Sequence, residues 1–271
     1  MGGLMTGDDQ IASIADSSKP NAGRIYDFAL GGHHNFDVDR QAAQGIFQLF
    51  PGFQKSARTI RWFLGEAVRR LVADGFTQFI DFASGLPTVD HVHEIAPKGT
   101  KVVYSDVDPV TVAYGQEIVR NNPDVRYVVC NVATPEHMFQ DPAISQFLER
   151  GRRTGIGMNG VAYFLKDEDI AHSMRVLYDW AAKGTRLYIS DADNDPSNAP
   201  ATMQEMSATY KKIGQPMFTR SLKTLLELCK PWKVVDPGFR RLEEWVNLKV
   251  GVGEAEELMM GGPIFGGILE K

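Results

Sequence analysis

Two acidic residues stand at the ends of neighbouring apolar segments, and a turn of small residues follows the first. Asp81 lies in the segment Phe-Ile-Asp-Phe, which opens into residues 83–85 (Ala-Ser-Gly), small enough for a backbone to approach a ligand closely. Asp106 ends the second segment, 21 positions after Gly85. A spacing of roughly 20 separates a nucleotide-binding turn from the carboxylate that holds a ribose hydroxyl. The pattern predicts an adenosine-containing small molecule at the carboxyl edge of a parallel sheet.

The composition of this turn favours one adenosine ligand over another. A dinucleotide fingerprint is G-x-G-x-x-G, which places a pyrophosphate against a helix N-terminus. This chain has Ala83 and Gly85 at the first two positions, and Thr88 replaces the third glycine. The carboxylate of Asp81 would repel a pyrophosphate but attract a sulfonium or an amino group. We therefore expect S-adenosylmethionine rather than NAD.

Alternating strand and helix patterns must position these residues. From residue 76 onward, apolar segments and amphipathic segments follow one another, which favours a parallel sheet covered on both faces. Strands are predicted at 77–82, 101–105, 125–130, 155–159, 185–191, 232–236 and 263–269. Helices are predicted at 88–96, 109–121, 135–149, 167–182, 200–213 and 220–229. Asp108 is the expected cap of the second helix and Thr219 that of the last, and the closely spaced final strands allow an antiparallel pair at the sheet edge.

Length, composition and charge limit the domain organisation and the classes of partner. The 271 residues, 43% hydrophobic and 23% charged, predict a disordered N-terminus over 1–20, a helical extension or lid over 21–75 and one large α/β domain over 76–271. A net charge of −5 without a basic run argues against a nucleic-acid partner. Two cysteines, no signal-peptide pattern and no long apolar run predict a cytoplasmic protein without a membrane partner. A homodimer is left open.

The order of these elements resembles that of Rossmann-like S-adenosylmethionine-dependent methyltransferases. A narrower resemblance, over about 21–271, is to a bacterial methyltransferase family that is abundant in actinomycetes and was formerly described as a domain of unknown function. Its N-terminal signature, R-x-Y-D-x-x-L-G-G-x-x-N-F, is matched by residues 24–36, and its turn, D-x-G-[ST]-G-L-P-T, by residues 81–88. The resemblance implies a three-layer α/β sheet of about seven mostly parallel strands, and methyltransferase activity.

The resemblance also implies a set of cofactor-binding residues. Asp81 and the turn would surround the methionine part, Asp106 would hold the ribose, and the ends of the third and fourth strands would meet the adenine and the sulfonium. The implied set is Tyr26, Asp81, Ala83, Ser84, Gly85, Asp106, Val107, Asp108, Asn131, Val132, Asn159 and Gly160. Three positions depart from the family's pattern. Ala83 replaces a glycine and requires a negative φ, Asn131 stands where many relatives have aspartate, and Tyr163 stands where relatives often have histidine.

Catalytic roles are less constrained, because an activated sulfonium needs a base only if the acceptor must lose a proton. Tyr163, His33 and His34 are the candidates for such a base. His91 and His93 lie at positions i and i+2 of a helix, without a third ligand, so no metal site is predicted. The acidic run 191–195 is expected near the acceptor rather than in a calcium loop, since Pro196 and Thr202 occupy key positions of that loop.

The sequence is consistent with three hypotheses about function. The leading one is methyl transfer from S-adenosylmethionine to a small-molecule acceptor. The alternative is a non-catalytic protein that binds S-adenosylmethionine or S-adenosylhomocysteine, motivated by the three departures. A nicotinamide-dependent reductase is the third, although the glycine fingerprint is missing and the pair Tyr210-Lys211 is not a Tyr-x-x-x-Lys dyad. The sequence leaves the acceptor open.

Overall fold

A computed structural model of the chain describes residues 18–87, 90–198, 201–248 and 263–271. In them a sheet of eight strands runs in the order β3-β2-β1-β4-β5-β8-β6, with β7 paired to β8. β1 to β5 are parallel, and β8 is antiparallel to its neighbours. The strands are β1 (Gln78–Phe82), β2 (Lys101–Asp106), β3 (Val125–Val129), β4 (Gly155–Met158), β5 (Arg186–Ala192), β6 (Lys233–Val234), β7 (Arg240–Arg241) and β8 (Ile264–Glu270).

Helices cover both faces of this sheet. They are α1 (Ala22–Leu30), α2 (Asp37–Leu49), α3 (Phe53–Ala73), α4 (Val92–Ile95), α5 (Pro109–Val119), α6 (Glu136–Gln140), α7 (Pro142–Phe147), α8 (Asp167–Trp180), α9 (Ala201–Lys212), α10 (Leu222–Leu228) and α11 (Leu242–Trp245). Alternate residues of β1 belong to opposite cores. Phe79 packs with α3 and α5, whereas Ile80 and Phe82 pack with α8 and α10. The predicted three-layer α/β architecture with an antiparallel edge is therefore confirmed.

Several predicted boundaries are corrected. The helix predicted over 135–149 is two helices, because Asp141 caps a new helix whose first residue is Pro142. The helix predicted over 88–96 is the single turn of α4, and residues 88–89 lie outside the described residues. Ser221, not Thr219, caps α10 by accepting a hydrogen bond from the Thr224 amide. β7 and α11 were not predicted, since each is too short to show a period.

The N-terminal extension folds as α1, α2 and α3, and it is fastened to the sheet domain in two ways. Apolar side chains of α1 and α2 share a buried cluster with Met203, Met206 and Tyr210 of α9. The buried guanidinium of Arg24 in α1 bonds Asp39 through Nε at 2.8 Å and Asp108 through Nη1 at 3.3 Å. The extension is thereby held over the carboxyl edge of the sheet.

The predictions for the N-terminus and for membrane-spanning helices depend on which residues the structure describes. Residues 1–17, where most of the predicted disordered N-terminus falls, lie outside the described residues. Among the residues that are described, none of the helices has the length and apolarity that a bilayer crossing requires.

Candidate functional site

The turn after β1 is fastened to β2 by hydrogen bonds. Ser84 Oγ donates to the carbonyl of Asp81 at 2.6 Å, and the Ser84 amide donates to the carbonyl of Ser105 at 2.9 Å. The Gly85 amide donates to Asp106 Oδ2 at 3.1 Å. These bonds hold the small residues of the turn beside the end of the neighbouring strand, as the spacing of Gly85 and Asp106 predicts.

Ala83 corrects the expectation of a negative φ. Its φ is 51° and that of Gly85 is 62°, so both residues are left-handed. A left-handed alanine is disfavoured by about 1 kcal/mol, because Cβ crowds the following carbonyl oxygen. The hydrogen bonds on either side hold the turn in this conformation, and they explain why alanine is accepted at a glycine position.

Asp81 and Asp106 reach the same edge of the sheet from adjacent strands. Asp81 is 2% exposed and accepts a hydrogen bond from the Tyr188 hydroxyl at 3.0 Å. Asp106 Oδ1 accepts a hydrogen bond from the Asp108 amide at 3.0 Å. Burial raises the pKa of each carboxyl to about 6, and the hydrogen bonds only partly oppose it. Two neighbouring carboxyls with raised pKa values at one sheet edge are typical of a ligand site.

These groups face a cavity of about 430 Å³ above the carboxyl ends of the parallel strands. Its wall contains most of the predicted cofactor residues together with one catalytic candidate. These are Tyr26, Asp81, Ala83, Ser84, Gly85, Asp106, Val107, Asn131, Val132, Asn159, Gly160 and Tyr163. Residues that the sequence predicts at the ends of separate strands therefore line one cavity.

Asp108 is the predicted cofactor residue that the cavity wall does not include. Its carboxylate caps α5 by accepting hydrogen bonds from the amides of Val110 and Thr111. It also accepts the bond from Arg24. The side chain is thus used to position the extension and the helix.

His33 and His34 also lie outside the wall of the cavity. Asp27, buried in α1, accepts hydrogen bonds from the His34 amide at 3.0 Å and from Asn35 Nδ2 at 2.9 Å. The His34 ring packs edge-on against Tyr114, and His33 is exposed. The Asp27 bonds hold this loop in a position where neither histidine lines the cavity.

Arg61 of α3 is a site residue that sequence reasoning missed. It lines the cavity, is 6% exposed and lies over the Tyr26 ring, with its Cζ 5.5 Å from the ring centroid. The Tyr26 hydroxyl donates to the Ala57 carbonyl at 2.9 Å, which fixes this ring. The signal was present in the sequence, because Arg61 falls between Ala57 and Leu64 on the apolar face of the helix.

The exits of β4 and β5 are joined by a hydrogen-bonded chain. Ser190 Oγ donates to Asn159 Oδ1 at 2.7 Å and accepts a bond from the Gly160 amide at 2.9 Å. Asn159 Nδ2 donates to the Ile60 carbonyl at 3.0 Å, which ties this wall to α3. A side chain at Gly157 would meet Asp81 Oδ1 at 2.1 Å, so glycine is needed for β4 to pass the carboxyl.

Asp191, at the end of β5, is paired with a buried arginine. Arg220 Nη1 donates to Asp191 Oδ2 at 2.8 Å and to the Ala162 carbonyl at 2.9 Å, and Arg220 Nε donates to Asp167 at 2.9 Å. Burial raises the pKa of Asp191 to about 6, and the Arg220 charge partly opposes it. Of the acids in the run 191–195, Asp191 lines the cavity, and it already has a cation in Arg220.

Apolar side chains make up the rest of this wall. Met203, Met206 and Tyr210 of α9 are buried and line the cavity, and the half-buried Phe164 and Phe218 line it as well. Tyr163 stands among them. Burial, and then the neighbouring Tyr210, Tyr26 and Asp191, raise the pKa of Tyr163 well above its usual value. Its phenol is therefore suited to donate a hydrogen bond and poorly suited to act as a base.

Metal and thiol chemistry have little support in the described residues. No cluster of three or more histidine, cysteine or acidic residues with metal-binding geometry occurs in the part of the chain that the structure describes. Cys130 lines the cavity, but burial raises its pKa to about 11. A protonated thiol in an apolar setting is a packed side chain and not a nucleophile.

Comparison with known proteins places these features in a family. Residues 8–268 match a family described as S-adenosyl methyltransferase. A proposed methyltransferase from Thermobifida fusca YX has 26% identity and a TM-score of 0.83, with 94% of this chain and 96% of that chain covered. A duf574 family protein from Streptomyces avermitilis MA-4680 has 24% identity and a TM-score of 0.82, with 94% and 99% covered. No curated protein matches the chain.

Proposed function

The chain belongs to the S-adenosyl methyltransferase family, and from that premise we propose that it transfers the methyl group of S-adenosylmethionine to a small-molecule acceptor held in the same cavity. The observation that carries this proposal is the meeting of Asp81, Asp106 and an apolar wall around one space of about 430 Å³. A space of this size accommodates a cofactor and a compact acceptor and does not suit a macromolecular surface.

The residues present fit the cofactor. Asp106 is placed to accept hydrogen bonds from the ribose hydroxyls, and Asp81 to attract the ammonium group of the amino-acid end. Gly85 has open space where a Cβ would stand, so a ligand is able to approach the turn backbone. Asn131 Oδ1 is used by the Ala133 amide at 2.9 Å, which leaves its amide nitrogen and the Val132 backbone to meet the adenine edge.

When bound, S-adenosylmethionine supplies a methyl group on an electrophilic sulfonium. The protein's contribution is to align the acceptor and to exclude water, both of which need rigid walls and not a strong base. The chain of hydrogen bonds from Asn159 through Ser190 to Gly160 fixes the wall beside this position. Tyr163 is placed to donate a hydrogen bond to an acceptor oxygen or nitrogen.

The acceptor we propose has an apolar body. Met203, Met206 and Phe164 offer adaptable, polarisable contacts to such a molecule. Asn194 also lines this wall, is 2% exposed and has an Oδ1 atom without a hydrogen-bond partner. A hydroxyl or N–H group on the acceptor would satisfy that atom, which supports an acceptor with one polar donor on an otherwise apolar frame.

The setting of the enzyme is part of the proposal. We propose a bacterial, cytoplasmic protein, supported by the bacterial source of both similar structures and by two buried cysteines that form no disulfide. The acidic net charge of −5 supports a small-molecule partner over a nucleic acid. A homodimer remains an open alternative that sedimentation would decide.

Methyl-labelled S-adenosylmethionine tests the proposal. Purified protein is incubated with the labelled cofactor and with separate small-molecule, protein and nucleic-acid fractions of a bacterial extract. We expect label in the small-molecule fraction, release of S-adenosylhomocysteine, and loss of both with Asp106→Ala. Label found only in the protein or nucleic-acid fraction would contradict the small-molecule acceptor, and no release with any fraction would contradict turnover.

A further inference from the structure

Arg61 carries a buried positive charge without a matching anion. Its side chain is 6% exposed and its Nε atom has no hydrogen-bond partner. No carboxylate among the described residues forms an ion pair with it, although Asp81 is near enough for the Arg61 charge to lower its pKa. A buried guanidinium normally has a carboxylate or phosphate partner, because transfer from water without one is unfavourable.

The nearest polar neighbour of Arg61 does not supply the missing charge. Arg61 Nη1 contacts His91 Nε2, which also lies 2.8 Å from the Leu86 carbonyl oxygen. Burial and the Arg61 charge lower the pKa of His91 well below its usual value, so the ring is neutral. In either tautomer His91 contributes no negative charge, and the guanidinium is left able to bind an anion that enters the cavity.

The surroundings of Arg61 define which anion fits. The cavity wall presents Arg61 from α3 and Asp81 from β1, a cation and an anion whose side chains bond His91 and Tyr188 and not each other. An α-amino acid group is the complementary ligand, since it joins a carboxylate and an ammonium through one carbon atom. The Tyr26 ring, fixed by the bond of its hydroxyl to the Ala57 carbonyl, packs against the guanidinium.

We propose that Arg61 binds the carboxylate of the cofactor's amino-acid end while Asp81 binds its ammonium group. The inference rests on the proposed function, because it assigns the ligand of the same cavity. It makes Arg61 a residue that selects zwitterionic adenosine ligands over those that lack the carboxylate. The N-terminal extension, which carries Arg61, then belongs to the binding site and is more than a cover.

Calorimetry with two ligands isolates this contact. S-adenosylhomocysteine carries the carboxylate, and its decarboxylated analogue, S-adenosyl-3-thiopropylamine, keeps the ammonium alone. We expect the wild type to prefer S-adenosylhomocysteine by about tenfold to a hundredfold, the range of one charge-assisted contact. Arg61→Gln removes this preference by weakening only the first ligand, and Arg61→Lys retains part of it. Arg58→Gln, at an exposed position of the same helix, leaves the preference unchanged.

Asp81→Asn is the comparison variant for Arg61→Gln. It is expected to weaken the binding of both ligands by a similar factor, because both carry the ammonium group. The preference is a ratio within one protein, so a partly unfolded variant changes the stoichiometry and not the ratio. Equal weakening of both ligands by Arg61→Gln, or no weakening, would overturn the role of Arg61 while leaving the proposed function in place. A wild type that binds neither ligand would instead contradict the proposed function, and this inference with it.

Discussion

The cavity has two sides, one at the turn after β1 and one at the end of β5, and their charged residues differ in whether they form ion pairs. On the turn side, Arg61 and Asp81 are buried and Asp106 is half-buried, and none of the three forms an ion pair among the described residues. On the β5 side, Asp191 is bonded to Arg220, which also bonds two carbonyl groups and Asp167. The difference indicates that the turn side depends on a ligand for its missing partners, whereas the charges of the β5 side are already paired within the protein and its wall is mostly apolar.

The largest effect on stability is expected on the β5 side. Arg220→Met leaves Asp191 buried without its cation, which should lower the free energy of unfolding by about 3 to 5 kcal/mol. Arg120→Met is the matched control, because its pair with Glu117 is exposed and should contribute less than about 1 kcal/mol. Chemical denaturation measures both values. Similar losses of unfolding free energy in the two variants would show that Arg220 is not needed to pair the buried Asp191.

The largest effect on binding is expected on the turn side. Asp106→Ala removes the ribose hydrogen bonds and the bond that Asp106 accepts from the Gly85 amide. We expect a loss of about 3 kcal/mol or more, which is over about a hundredfold in Kd for S-adenosylhomocysteine. Asp179→Ala, at an exposed position of α8, should bind as the wild type does. An Asp106→Ala variant that binds normally would remove Asp106 from the site.

The pH dependence of cofactor binding tests whether the turn-side carboxyls must be ionised to hold the ligand. Asp81 and Asp106 have pKa values raised to about 6 in the free protein, and the cofactor's ammonium group favours their ionised forms. Affinity should therefore be constant above about pH 7 and fall as the pH drops through 6. The expected limit is about tenfold in Kd per pH unit for each carboxyl that must ionise.

Calorimetry between about pH 5 and 8 measures this dependence. Asp81→Asn, which cannot titrate at that position, should give a shallower slope than the wild type. A Kd that stays constant over the range, or that rises with pH, would show that the ionised carboxyls do not hold the ligand.

The smallest effects concern the residues first considered as bases. Tyr163→Phe removes one hydrogen-bond donor, so the rate of methyl transfer should fall by about tenfold or less, with an unchanged pH profile. His33→Ala should leave the rate unchanged, because His33 is exposed and lies outside the cavity wall. Loss of a general base lowers a rate by about a hundredfold or more. A loss of that size in either variant would assign a base to it.

The strand-end residues were predictable because their signals are local. Asp81 and Asp106 follow apolar segments of strand length, and the carboxyl ends of parallel strands meet at one edge whatever the detailed packing. The Asp108 cap likewise follows from a proline at the next position, and the structure confirms it. Periodicity and strand ends thus gave the fold and the turn side of the site.

Residues whose roles depend on distant partners were not predictable in this way. Arg61 is one charged residue on an apolar helix face until His91, Tyr26 and Asp81 come together around it. The partners of Arg220 lie 29 to 58 positions away. His33 and His34 were predicted only as candidates for a base, and the bonds that Asp27 makes to their loop join residues seven and eight positions apart that no sequence pattern connects.

A crystal structure of the protein with S-adenosylhomocysteine tests the central claim most directly. The account predicts the ribose hydroxyls within hydrogen-bond distance of Asp106, and the amino-acid end beside Asp81. Ligand density in another part of the molecule, or an amino-acid end turned toward Asp191 and the apolar wall, would contradict it.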